Sequence, residues 1–119
     1  MLALTADSFD TTVTDSDIIL IDFWAAWCGP CRWFAPIFEA AAERNPDMTF
    51  AKVDTEAEQE LAARFGISSI PTLMVLRDQV LLYSQPGALP APALDDLISQ
   101  VRALDMDVVR HKIAEANQR

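Results

Sequence analysis

The chain is short of the residues that build several kinds of site. Its 119 residues hold two cysteines and one histidine, and 9 lysines and arginines stand against 18 aspartates and glutamates. Two closely spaced cysteines exclude the multi-bridge framework of a small secreted scaffold. A zinc site needs four ligands, and the single histidine, His111, stands in the last stretch of the chain, so no metal is expected. The net charge of -9 has the wrong sign for a nucleic-acid binder or an anionic membrane surface and reads as solubility. No apolar run approaches the ~20 residues of a membrane span. The start, Met1-Leu2-Ala3-Leu4-Thr5-Ala6-Asp7, lacks the basic head and long apolar stretch of a signal peptide, so a cytoplasmic protein is expected. There is no repeat and no low-complexity linker.

What remains is a chain that is 51% hydrophobic and long enough for one domain with one real core. Residues 2–5 read as a short strand and 7–13 as a short helix behind a Thr5 or Ser8 cap. Residues 18–25 form a nearly continuous apolar run, which suits a central strand covered on both faces. Residues 31–44 carry alanines, Phe34, Ile37 and Phe38 at helical spacing, with a bend expected at Pro36 and an end at Asn45-Pro46. A strand at 49–53 and a helix at 56–65, closed by Gly66, follow. Residues 72–77 and 80–84 are strands around a tight turn at Asp78-Gln79, hence an antiparallel hairpin. From about Pro92, a last long helix aligns Leu94, Leu97, Ile98, Val101 and Leu104 on one stripe. The order β-α-β-α-β-α-β-β-α predicts an α/β protein, a mixed sheet with helices on both faces.

Both cysteines fall in Trp27-Cys28-Gly29-Pro30-Cys31, between the apolar strand and the helix after it. In that context C-x-x-C reads as a redox pair, against the alternatives of a metal half-site or two inert thiols. The thiolate is the nucleophile, and the start of a helix stabilises it through unpaired N–H groups and the positive end of the dipole. That placement makes Cys28 the attacking cysteine. Cys31, one turn further in, is expected to be more buried and to resolve the mixed disulfide. Gly29 permits close backbone approach, and Pro30 fits an early helical position where no N–H is missed. Asp22 interrupts the most hydrophobic strand. Burial should raise its pKa, and it reads either as a proton acceptor for Cys31 or as a hydrogen-bonded structural carboxylate.

The string Trp27-Cys28-Gly29-Pro30-Cys31 resembles the thioredoxin family, with Asp22, Pro71 and Gly87 in register over roughly residues 2–104. The resemblance implies the thioredoxin fold and its strand order, and a protein-disulfide reductase cycling between dithiol and disulfide. It implies no bound cofactor beyond the redox-active Cys28–Cys31 pair. Protein disulfides would be the substrates and thioredoxin reductase, an NADPH-dependent flavoprotein, the electron donor, with the protein itself a monomer. The family's Gly-Pro pair, here Gly29-Pro30, goes with reducing members. Asp22 takes the place of the family's buried acid, and Lys52 that of the lysine beside it. Ile70-Pro71-Thr72 matches the cis-proline segment that faces the cysteines, where the Ile70 backbone could pair with a substrate strand. Trp27, Gly66, Ile67, Ile70, Gly87 and Ala88 would form an apolar rim around Cys28.

The chain also departs from the family. Arg32 and Trp33 follow Cys31 where a lysine and a smaller residue are frequent, and Trp33 is expected to shift partner preference. The hairpin turn lacks Asn-Gly and is expected to be looser. Residues 1–104 are read as the thioredoxin domain and 105–119 as a helical extension of it, with Val108, Val109, Ile113 and Ala116 on a narrow stripe and Asp107 as cap. The alternative to a reductase is a thioredoxin-like chaperone or assembly module using the rim and this tail. A disulfide oxidase or isomerase is disfavoured by Gly29-Pro30 and by the expected location.

Overall fold

A computed structural model of the protein describes residues 1–118; Arg119, the last residue of the expected extension, lies outside them. The elements are β1 (Leu2–Ala3), α1 (Phe9–Asp15), β2 (Ile18–Trp24), α2 (Gly29–Arg44), β3 (Thr49–Asp54), α3 (Gln59–Arg64), β4 (Thr72–Arg77), β5 (Val80–Pro86), α4 (Ala91–Ala103) and α5 (Met106–Asn117). They build a five-stranded sheet in the order β1-β3-β2-β4-β5. β1, β3 and β2 run parallel, while β4 is antiparallel to both β2 and β5. β2 is therefore the central strand, and its apolar run has a physical reason: neither face meets water.

Side chains alternate along a strand, so β2 feeds two cores. Ile19, Ile21 and Phe23 join Phe9, Val13, Leu61 and Met74 on the face of α1 and α3. Leu20 joins Phe34, Phe38, Leu73, Leu94 and Ile98 on the face of α2 and α4. By the same parity Asp22 stands on the α2 face.

Several boundaries differ from the sequence reading. α3 starts at Gln59 and not at 56, because the Asp54 carboxylate accepts the Glu56 N–H at 2.9 Å and holds a turn there. β5 extends to Pro86, with a bulge opposite Val75/Leu76. The hairpin turn is tight without Asn-Gly: Asp78 and Gln79 both take positive φ, 52° and 67°, the backbone of a two-residue turn matched to strand twist. The cap of α5 is Asp105, whose carboxylate accepts the Asp107 and Val108 N–H groups at 3.0 and 3.3 Å; Asp107 sits inside the first turn and pairs with Arg110. Met106 is buried and Val109 half-buried, whereas Val108 and Ile113 are exposed. The Arg77 guanidinium closes the end of α4, donating to the carbonyls of Val101 and Leu104 at 2.9 Å each.

Leu94 is fully buried between α4 and the sheet. Leu94→Ala is expected to lower the unfolding free energy by about 2–5 kcal/mol in urea titration. A loss under about 1 kcal/mol would mean that this face tolerates the cavity and is not close-packed.

Candidate active site

The site assembles at the end of β2 where the chain turns into α2. Cys28 is the N-cap of α2, with φ -86° and ψ 115°, and its Sγ accepts the Cys31 backbone N–H at 3.2 Å. Gly29 and Pro30 occupy the first turn, as the missing proline N–H allows. The two cysteines are joined in a disulfide with Cα atoms 5.2 Å apart. Burial does not separate them as expected, since Cys28 is 4% exposed and Cys31 3%. Bonding holds both sulfurs at one depth. Their surroundings differ instead. Cys28 Sγ lies 3.6 Å from the Ile70 carbonyl oxygen, while Cys31 lines a cavity behind the helix start.

That cavity has a volume of about 130 Å³ and is lined by Asp22, Trp24, Cys31, Phe38, Glu39 and Lys52, among others. Asp22 is 4% exposed, and its Oδ1 has no hydrogen-bond partner among the described residues, nor does Trp24 Nε1. Burial pushes the Asp22 carboxyl from an ordinary 3.8 up to about 7, and the charge of Lys52 pulls the other way. Lys52 is the register partner of Asp22 on β3, and its Nζ lies 5.4 Å from the centre of the Trp24 ring.

On the other side of the disulfide, the Ile70–Pro71 peptide bond is cis. The Pro71 carbonyl accepts the Gly87 N–H at 2.8 Å, and Gly87 has φ 112°, a conformation that side chains disfavour. Gly66 ends the α3 region with φ 63°. Trp27 is 66% exposed, and its indole N–H donates to Glu56 Oε1 at 2.7 Å. Sequence reading missed Glu56, because no spacing rule links residues so far apart in the chain. Of the remaining rim candidates, Gly66 and Gly87 are exposed and Ile70 is half-buried. Ile67 and Ala88 are also half-buried, Ile67 packing on the α1/α3 core and Ala88 on the α2/α4 core. Phe23 is core. Among the described residues no group of three or more His, Cys, Asp or Glu side chains could hold a metal, and no helix is long and apolar enough to cross a membrane.

A sheet of this order, with a C-x-x-C disulfide capping the helix after its central strand, defines a thiol–disulfide oxidoreductase. The chain belongs to the thioredoxin family: the family model "Thioredoxin" matches residues 1–101. It is 63% identical over 112 residues to the Streptomyces coelicolor protein named "Putative thioredoxin 2", covering 94% of this chain and 84% of that one. It is 39% identical over 88 residues to Bacillus subtilis thioredoxin, covering 73% and 85%. Among solved structures, a mutant thioredoxin from Halobacterium salinarum superposes with a TM-score of 0.80 at 34% identity, over 87% of this chain and 92% of that one. Plasmodium falciparum thioredoxin gives 0.78 at 31%, over 84% and 98%.

The raised Asp22 pKa has a consequence for stability. Between about pH 4 and 7 the folded protein keeps a proton that the unfolded chain releases, so stability falls as pH rises through that window. Above it, the buried charge costs on the order of 4 kcal/mol. Asp22→Asn cannot ionise, so it should be more stable than the wild type at pH 8 and lose that advantage near pH 4. Urea unfolding of the oxidised proteins at both values checks this. An equal difference at the two pH values would show that Asp22 does not titrate between them.

Proposed function

We propose that the protein is a cytoplasmic protein-disulfide reductase in which Cys28 attacks, Cys31 resolves and Asp22 serves as the base. The observation that carries this reading is the division around the disulfide. Cys28 holds a helix N-terminal N–H and faces the Ile70 backbone, whereas Cys31 faces the carboxylate cavity. In the dithiol form the Cys31 N–H and the helix start stabilise a Cys28 thiolate. The thiolate attacks one sulfur of a substrate disulfide. A Cys28–substrate bond forms, the substrate S–S bond breaks, and the other substrate sulfur leaves as a thiolate. The Cys31 thiol then gives its proton to the Asp22 carboxylate, directly or through water in the cavity. The Cys31 thiolate attacks Cys28 Sγ and expels the second substrate sulfur. The substrate gains two electrons and, from solvent and Asp22, two protons; the enzyme is left with the Cys28–Cys31 disulfide. A carboxyl with a pKa near 7 is matched to this exchange at neutral pH.

Lys52 tempers the cost of the Asp22 charge, while Gly29 and Pro30 stiffen the helix start. The cis Pro71 presents the Ile70 backbone to an extended substrate segment, with Trp27, Ile67, Gly87 and Ala88 as the surrounding contact surface. Thioredoxin reductase would restore the dithiol with electrons from NADPH, placing the protein in electron transport and redox homeostasis as a monomer. Residues 105–119 would be a helical extension of the 1–104 domain.

Cys31→Ser should trap substrate proteins as mixed disulfides on Cys28, visible as adducts that dissolve on reduction. Failure to trap any adduct would sink the assigned roles, and activity that survives in a Cys28→Ser, Cys31→Ser double variant, which holds no thiol, would favour the binding-module reading. The reduction potential separates reductase from oxidase. A value near the roughly -270 mV known for thioredoxins is expected, and one near -120 mV would mark an oxidant.

A further inference from the structure

Of the three tryptophans, Trp24 and Trp27 stand beside the redox pair in sequence, Trp33 follows Cys31 by two residues on α2, and two of the three have evident partners. Trp24 lies under the Lys52 ammonium and Trp27 donates to Glu56. Among the described residues, Trp33 has no hydrogen bond, no stacked ring and no cation over it, yet it is 53% exposed. A lone exposed apolar residue needs no explanation of its own. The position of this one does.

Helical geometry sets Trp33 one turn beyond Gly29, on the face of α2 turned away from the buried Cys31, Phe34, Phe38 and Ala41. Side chains on a helix lean toward its N-terminus, here toward Cys28. The space beside Gly29 is open: a Cβ added there would meet nothing within 4 Å. Four residues of α-helix rise about 6 Å, so Trp33 lies one turn along the helix from Gly29 and the capping Cys28. A protein docking on Cys28 through an interface of ordinary size covers ~800 Å² of this surface, a disc of radius ~16 Å. That disc includes Trp33. A small disulfide reaches the sulfur without crossing the turn of helix that carries it.

We propose that Trp33 is a specificity-determining residue that packs against the protein bearing the target disulfide and favours macromolecular disulfides over small ones. The proposal rests on the reductase reading above, and the test keeps the two apart. With dithiothreitol as electron donor, kcat/KM is measured for insulin and for oxidised glutathione with the wild type, Trp33→Ala, Trp33→Phe and Leu81→Ala. Leu81 is an exposed apolar residue on β5 and controls for loss of apolar surface in general. Trp33→Ala should lower the insulin-to-glutathione ratio about tenfold, mainly through KM for insulin. Trp33→Phe should restore most of the ratio, and Leu81→Ala should leave it at the wild-type value. A ratio that does not move in Trp33→Ala overturns the proposal, whether both rates hold or both fall together. So does a wild-type dimer in sedimentation that Trp33→Ala dissolves, since the ring would then belong to a contact between copies. A wild type that reduces neither probe would instead overturn the reductase reading, and this proposal with it.

Discussion

The constraint on which the site depends is a carboxylate buried in the middle of the central strand. β2 could be wholly apolar, and on folding grounds alone it should be, because both of its faces are covered. Asp22 breaks the pattern on the face that α2 covers, with the Lys52 cation beside it. A charge held there without full hydrogen bonding destabilises the fold. The Oδ1 atom, without a partner among the described residues, shows that the surroundings do not fully compensate. Cys31 lines the same cavity, and this pairing of a buried carboxyl with the redox disulfide is what the proposed proton transfer rests on.

Topology explains why distant residues meet at one end of the sheet. β2 runs out toward Trp24, and the chain continues directly into Trp27 and the capping Cys28. β4 is antiparallel to β2 with Phe23 opposite Thr72, so the start of β4 lies beside the end of β2. The residues just before β4, Ile70 and Pro71, are thereby delivered to the sulfur of Cys28. β5 reverses again with Pro86 opposite Thr72, which brings Gly87 to the Pro71 carbonyl. The end of β2, the start of β4 and the end of β5 meet at one end of the sheet, and strand register brings them there. None of these contacts requires a loop to fold back over the core.

That logic also decides what can be read without a structure. The C-x-x-C at a helix start, the buried Asp22 and the element order are legible because they depend on local pattern: spacing, apolar runs and helix punctuation. Strand order is not, and comes from family resemblance, since periodicity carries no information about neighbours. The Trp27–Glu56 bond is invisible for the same reason. Boundaries go wrong where two similar residues compete for one local role. Asp105 and Asp107 are both plausible caps, and the extended backbone at Asp105 settles which carboxylate reaches the free N–H groups. Asp54 likewise delays α3 by capturing the Glu56 N–H before a helix can form. A difference in depth between Cys28 and Cys31 is a fair expectation from helix position, but a covalent bond between neighbours on one helical turn leaves little room for it.

The difference between the cysteines lies instead in what each sulfur faces, and this suits the exchange better than depth would. Burial disfavours a charged thiolate wherever one forms. In the proposed cycle the Cys31 N–H and the helix start offset that penalty at Cys28 and not at Cys31, because Cys28 is the cap and Cys31 lies within the helix. Cys31, in that proposed cycle, obtains its reactivity from a base. A carboxylate with an ordinary pKa would hold the proton too weakly to accept it near neutral pH, and a fully exposed one would exchange it with solvent. On that proposal, the burial that makes Asp22 costly to the fold is the same burial that fits it to the transfer.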